Sequence, residues 1–235
     1  VSYEVNELIS GWVPSRHKVI RDFDGTVWLY VVDYTGTDHI EEWKSLDEGR
    51  NFTYHSDVTG TAASEFQPMI DEENRRYLCI GRKNGDTLPY FLVYIEGTGW
   101  TQTAGFATST YLDSDFAIDT SRRPKPLLGF NHVAMVARKF VSGQDNIYYF
   151  DLEHPGSTIR VNAQVGSQLH PRICVSADGF TFISWRFNSE VYIAQQASWW
   201  PSTPTFTPPY LCSKAGHTVI ENCDVAINPL TTLPG

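Results

Sequence analysis

The stretch WKSLDEGRNFTYHS, residues 43–56, runs from one β-like segment into another through Ser45-x-Asp47-x-Gly49-x-x-Phe52. Ser and Asp side chains bond to nearby backbone groups in tight turns, and glycine supplies the positive φ such a turn needs. The aromatic residue that follows can fold back and pin the turn against a sheet. The stretch therefore predicts a fixed turn between two antiparallel strands, with Ser45, Asp47, Gly49 and Phe52 as its structural residues. Asn51-Phe52-Thr53 inside it is also a formal glycosylation sequon, a short pattern that recurs by chance.

Working outward, the pattern around this turn recurs. HKVIRDFDGTVWLYVVD (17–33), QPMIDEENRRYLCIGRK (67–83) and HPRICVSADGFTFISWR (170–186) each combine a short strand, a polar turn and a strongly β-forming strand. A further copy begins at DFAIDTSRRP (115–124) and resumes, after an insertion, at NHVAMVARK (131–139); DVAINP (224–229) begins another. The starts at 17, 67, 115, 170 and 224 are separated by 50, 48, 55 and 54 residues. A third strand follows in each unit (HIEEW, PYFLVYIE, NIYYFDL, EVYIAQQ), then a short fourth segment (NFTYHS, GWTQTA, STIRVNA, WWPSTPTF). Four antiparallel strands per repeat of about fifty residues predict an all-β chain, a β-propeller of four-stranded antiparallel blades. The blades are expected at 17–60, 61–109, 110–165 and 166–216, with partial ones at 1–16 and 217–235. Because the terminal pieces do not supply a closing blade, residues 1–235 are expected to be a propeller segment of a longer protein, the alternative being a single five-bladed propeller with one degenerate blade.

The turn also carries a resemblance. Its pattern closely resembles the Asp-box, or bacterial neuraminidase repeat, of sialidases and other β-propellers. In that family the box joins the third and fourth strands of a blade, away from the ligand. The resemblance implies a fold. Sialidases additionally use an arginine cluster against the sialic-acid carboxylate, a Tyr-Glu nucleophile pair and an Asp acid/base. Their Phe/Tyr-Arg-Ile-Pro motif is absent: HPRI (170–173) has another order and SRRP (121–124) lacks the isoleucine. SADGFTF (176–182) is one residue short of a second box. No catalytic residue is transferred.

Composition narrows the function classes. The 235 residues hold 18 Lys and Arg against 27 Asp and Glu, a formal charge of −9, which disfavours nucleic acid or an anionic membrane as partner. No apolar run reaches the length of a membrane-spanning helix, so no membrane insertion is expected. No Gly-rich phosphate loop or Gly-x-Ser-x-Gly elbow occurs, and no cofactor is expected. The four cysteines form no Cys-x-x-Cys; Cys79 and Cys174 sit in apolar strands, while Cys212 and Cys223 flank one loop and could pair as a disulfide.

Candidate ligand residues come from the repeat. Arg82, Arg138 and Arg186 fall at the ends of second strands, where they either converge on a carboxylate or serve as structural bridges. Asp113, Asp115 and Asp224 lie near inner-strand starts, as turn caps or as an acid pair. His17 and His170 occupy equivalent positions without a third metal ligand in the pattern, so no metal is assigned. Trp12, Trp100 and Trp199-Trp200 recur at fourth-strand starts, which points to packing between blades. WWPSTPTFTPPYLCSKAGH (199–217), stiffened by Pro201, Pro204, Pro208 and Pro209, is either a recognition loop or a spacer. With no complete catalytic motif, the leading expectation is a non-enzymatic recognition or attachment domain. Its expected partner is a glycan or a protein on a surface, and its expected setting a secreted or virion-surface protein. A propeller glycoside hydrolase and a pure interaction scaffold are the alternatives.

Overall fold

Strand by strand, the apolar alternation and turn residues of the sequence become four successive antiparallel sheets. The computed structural model describes residues 18–33, 39–58, 63–70, 73–83, 90–105, 118–123, 132–141, 143–152, 154, 157–162, 165–166, 168–175, 180–198 and 203–212. Among these, no helix occurs. The first sheet holds β1 (Lys18–Arg21), β2 (Val27–Asp33), β3 (His39–Ser45) and β4 (Thr53–Val58). The second holds β5 (Ala63–Ile70), β6 (Arg76–Lys83), β7 (Tyr90–Ile95) and β8 (Gly99–Gly105). The third holds β9 (Ile118–Arg123), β10 (His132–Val141), β11 (Gln144–Asp151) and β12 (Ile159–Arg160). The fourth holds β13 (Gln168–Val175), β14 (Thr181–Phe187), β15 (Glu190–Gln195) and β16 (Tyr210–Leu211). Within each sheet the strands lie in chain order, so every sheet is a simple meander.

Of the four complete blades expected, the first, second and third strands appear, while the further start at 224–229 and the partial blades at 1–16 and 217–235 lie outside the described residues. One fourth strand differs: β16 is Tyr210–Leu211, whereas Phe206, in the segment expected to pair, makes only an isolated bridge to Gln196. Proline explains the displacement, because Pro201 and Pro204 bring no N–H to a ladder through the expected segment. Pairing resumes only beyond Pro208 and Pro209, where Tyr192 and Ile193 of β15 meet Leu211 and Tyr210.

The chain divides into two compact units, Val1–Thr103 and Ala104–Gly235. In the first, Trp28, Tyr30 and Val32 share one face of β2 by the two-residue strand period. They pack with Ile40 and Val58 against Phe66, Leu78, Ile80, Leu92 and Trp100 of the second sheet. Leu29 and Val31, on the opposite face of β2, are buried too, so this strand is covered on both sides. Equivalent turns also touch: the Asn74 Oδ1 accepts the Phe23 N–H at 2.9 Å, linking the β5–β6 turn to the β1–β2 turn. In the second unit, Ala134 and Val136 (β10) and Ile147 and Tyr149 (β11) pack against Ile173 (β13), Ile183 and Trp185 (β14) and Ala194 (β15). The same rule operates in both units. Alternate residues of the central strands bury a face against the next sheet.

The opening stretch forms the β3–β4 turn. Ser45 Oγ accepts the Gly49 N–H at 2.9 Å and donates to Asp47 Oδ1 at 2.6 Å. Asp47 Oδ1 also accepts the Asn51 N–H at 2.9 Å. Glu48 and Gly49 take φ values of 62° and 86°, so two successive residues are left-handed and the chain reverses. Phe52 Cζ lies 3.8 Å from where a Cβ on Gly49 would sit, so the ring does fold back over the turn. Hydrogen bonds from the Ser45 and Asn51 side chains, then the Asn51 backbone, lower the Asp47 pKa to about 2.

Candidate functional site

Two polar constellations stand out in the first unit, and the first is buried. Glu42 on β3 is fully enclosed and belongs to the even-numbered face that meets the second sheet. A carboxylate there is costly unless it is paired and hydrogen-bonded. Arg76, at the start of β6, meets that need from the neighbouring sheet: its Nε donates to Glu42 Oε1 at 2.9 Å and its second terminal nitrogen to Oε2 at 3.3 Å. The Tyr30 hydroxyl donates to Oε1 at 2.8 Å and the Ser56 hydroxyl to Oε2 at 3.2 Å. The guanidinium lies between two rings, 3.7 Å from the Trp28 centroid and 4.0 Å from that of Tyr94. His55 completes the wall, 5.2 Å from Trp28 and 3.7 Å from Glu42 Oε2.

The electrostatics follow from this enclosure. Burial, reinforced by the Glu42 charge, pushes the Tyr30 phenol well above its ordinary range. Burial works to lower the Arg76 pKa, but the Glu42 carboxylate outweighs it and the net shift is upward. Burial lowers the His55 pKa, with Glu42 acting in the opposite direction. A tyrosine and a glutamate are thus hydrogen-bonded partners, yet both are wholly inaccessible, with no surface at which a substrate atom can arrive. Chemically this is a lock between sheets.

The second constellation is open to solvent. Asp33 ends β2, His39 opens β3 as its cross-strand partner, and Glu41 lies two residues further along the same face. Asp57 of β4 is the cross-strand partner of Glu41. Three carboxylates converge on one imidazole nitrogen: His39 Nε2 is 3.9 Å from Asp33 Oδ2, 3.8 Å from Glu41 Oε1 and 3.3 Å from Asp57 Oδ1. Beside them, Trp43 donates its indole N–H to Glu41 Oε2 at 2.8 Å. Tyr54 stands edge-on to Trp43, with ring centroids 5.8 Å apart, and is 50% exposed. Desolvation, and then the hydrogen bond and charge of Asp57, raise the Tyr54 pKa. An exposed tyrosine braced by a half-buried tryptophan thereby borders a cluster of carboxylates and one imidazole near the hairpin end where β2 passes to β3.

The residues expected from the sequence fare unevenly. Arg82, Arg138 and Arg186 do lie near the ends of second strands, on β6, β10 and β14. Arg138 is buried, and its Nε is 3.6 Å from Asp145 Oδ1 on the adjoining strand of its own sheet. It shares a face with Ala134 and Val136, which packs onto the fourth sheet, whereas Arg186 lies opposite Ile183 and Trp185, which face the third. In chain order both arginines therefore point forward from their sheets, as repeat equivalents. Arg82 pairs with Glu65 in the backbone register, between two register shifts. His170 takes a left-handed φ of 52° where the β13–β14 register slips between Leu169 and Arg172. Trp100 is buried against Tyr30 and Tyr94, a packing role. Cys212 is an exposed free thiol whose pKa burial nonetheless raises. Its expected partner Cys223 lies outside the described residues, as do His17, Trp12, Asp113, Asp115, Asp224 and Trp199-Trp200.

Sequence reading passed over Glu42, Arg76 and the cluster around His39. One signal was available: HIEEW places charged residues on both faces of a strand, so one glutamate had to be buried or bound. Its partner Arg76 is 34 residues away and nothing local announces the pairing.

No protein-family model matches the sequence, and no curated protein matches it at a significant level. Solved structures are similar in fold. An ulvan lyase of polysaccharide lyase family PL25, bound to a saccharide, superposes with a TM-score of 0.52 at 8% identity, over 84% of this chain and 58% of that one. A protein of unknown function from Dyadobacter fermentans gives 0.48 at 12% identity, over 87% of this chain and 66% of that one. The leech intramolecular trans-sialidase gives 0.46 at 12%, over 72% of this chain and 27% of that one. This chain therefore spans less than two thirds of each, and the likeness to the lyase is one of fold.

Proposed function

We propose that the chain is part of a β-propeller that recognises glycans without transforming them, as a recognition or attachment domain of a secreted or virion-surface protein. The propeller reading is supported by four successive four-stranded meanders and by the fold likeness to the polysaccharide lyase. The glycan reading is carried by one observation: the exposed Tyr54, braced by Trp43, stands beside the carboxylates of Asp57 and Glu41. Aromatic faces stack on the apolar face of a sugar ring, and carboxylates accept hydrogen bonds from its hydroxyls. Such a surface suits a neutral, hydroxyl-rich sugar and repels an acidic one. Recognition is assigned here in preference to Arg82, Arg138 and Arg186, because Arg138 is buried against Asp145.

A glycan array probed with the 235-residue chain, beside its Tyr54→Ala variant, tests this reading. Neutral glycans should be retained by the parent and lost by the variant, with the retained ligands recovered uncleaved. Binding only to acidic glycans would move the site back to the arginines. Cleavage of the ligand would replace recognition with hydrolysis, and a folded chain that binds no glycan would leave a protein-binding scaffold.

A further inference from the structure

The cluster at the end of the β2–β3 hairpin where β2 passes to β3 has the composition and spacing of a metal site. We propose that Asp33, His39 and Glu41 bind one divalent cation of the Mn2+/Zn2+ class, with Asp57 flanking the imidazole. One donor atom from each of Asp33, His39 and Glu41 lies within 4.8 Å of the others. Asp57 Oδ1 is nearer to the imidazole nitrogen than either, at 3.3 Å. Zinc-ligand bonds of about 2.0–2.2 Å in a tetrahedral shell imply donors roughly 3.3–3.6 Å apart. The separations from His39 Nε2, 3.3 to 3.9 Å, lie near that spacing, while the three donors as a set close to within 4.8 Å, so the carboxylates draw together around the ion.

The sheet itself builds the arrangement. Asp33 and His39 are cross-strand partners, as are Glu41 and Asp57, so three adjacent strands bring the three donors and the flanking Asp57 to one face. The outer contact is of the kind that orients a metal ligand: Trp43 holds Glu41 Oε2, which leaves Oε1 turned to His39. An imidazole among carboxylates favours Mn2+ or Zn2+ over a thiophilic ion, and a neutral imidazole with the two carboxylates of Asp33 and Glu41 balances a doubly charged cation. The side chains are partly solvent-exposed, so the ion has a path of entry. The inference deepens the glycan reading, because the cation would border Tyr54 and could take sugar hydroxyls as further ligands. It is measured without glycan, so the two stand or fall separately.

The test is titration of the metal-stripped intact chain with MnCl2 and with ZnCl2, by calorimetry and by paramagnetic broadening of indole N–H resonances with Mn2+. One ion per chain is expected, with the Trp43 signal broadened before those of the other tryptophans. Affinity should rise with pH as the imidazole loses its proton. Asp33→Asn with Glu41→Gln should weaken binding at least tenfold, while His154→Ala, in the other unit, should leave it unchanged. A folded wild-type chain without saturable binding at millimolar metal overturns the proposal. So does binding that leaves the Trp43 signal sharp, a readout that needs no variant to fold. Metal binding with an empty glycan array would retire only the glycan reading.

Discussion

Removal of Glu42 isolates what the buried lock between the first two sheets contributes. In Glu42→Leu the Arg76 guanidinium loses its bidentate acceptor while remaining only 11% exposed, and the Tyr30 hydroxyl loses its acceptor in a fully buried position. Breaking a buried ion pair by removing one partner costs about 3–5 kcal/mol, chiefly because the other charge is left uncompensated. The stack of Arg76 between Trp28 and Tyr94 survives the change and retains roughly 1–2 kcal/mol of cation–π attraction, which keeps the loss within that range. Arg76→Met should cost a similar amount, since the bare Glu42 carboxylate is then the buried charge. The double variant removes both charges together, so its loss should fall at least about 2 kcal/mol short of the summed singles. Urea unfolding followed by tryptophan fluorescence reads this out. With a slope near the upper end of the usual range, about 3 kcal/mol/M, each single variant should lower the midpoint by roughly 1–2 M. A single-variant loss below about 1 kcal/mol, or a double variant equal to the sum of the singles, would refute the reasoning.

Two further outcomes follow from the same unit. Gly49→Ala should destabilise the chain by about 1 kcal/mol in equilibrium unfolding, because the residue sits at φ 86° while a Cβ there meets only an ordinary 3.8 Å contact with Phe52; an unchanged midpoint would mean the turn relaxes freely. His55 has its pKa lowered below the ordinary 6.5, first by burial. The unfolded state therefore takes up the proton more readily, so this residue's contribution to stability declines as pH falls through 6.5 toward the lower folded value. Thermal melts between pH 7.5 and 5 should show a smaller drop in His55→Gln than in the parent, and equal drops would exclude His55 as a source.

Much of the fold was legible because its signals are local. The alternation in VWLYVVD and the turn chemistry of Asp22, Gly25, Ser45, Asp47 and Gly49 act within a few residues, and the repeat carried them through four sheets. The sites were less legible. The Arg82, Arg138 and Arg186 positions could be aligned by repeat, but whether a guanidinium faces solvent or an aspartate depends on what its neighbour strand carries. Asp145 answers that for Arg138.

By itself, then, the sequence determined the all-β class, the succession of strands and the form of the β3–β4 turn, since backbone sterics and short-range hydrogen bonding decide these. Only tertiary structure decided which charges meet. Strand register gathers Asp33, His39, Glu41 and Asp57 at one hairpin end. The packing of one sheet on the next brings Arg76 to Glu42. Both depend on separations through space that residue order along the chain does not encode locally, and burial gives the Glu42–Arg76 meeting its strength.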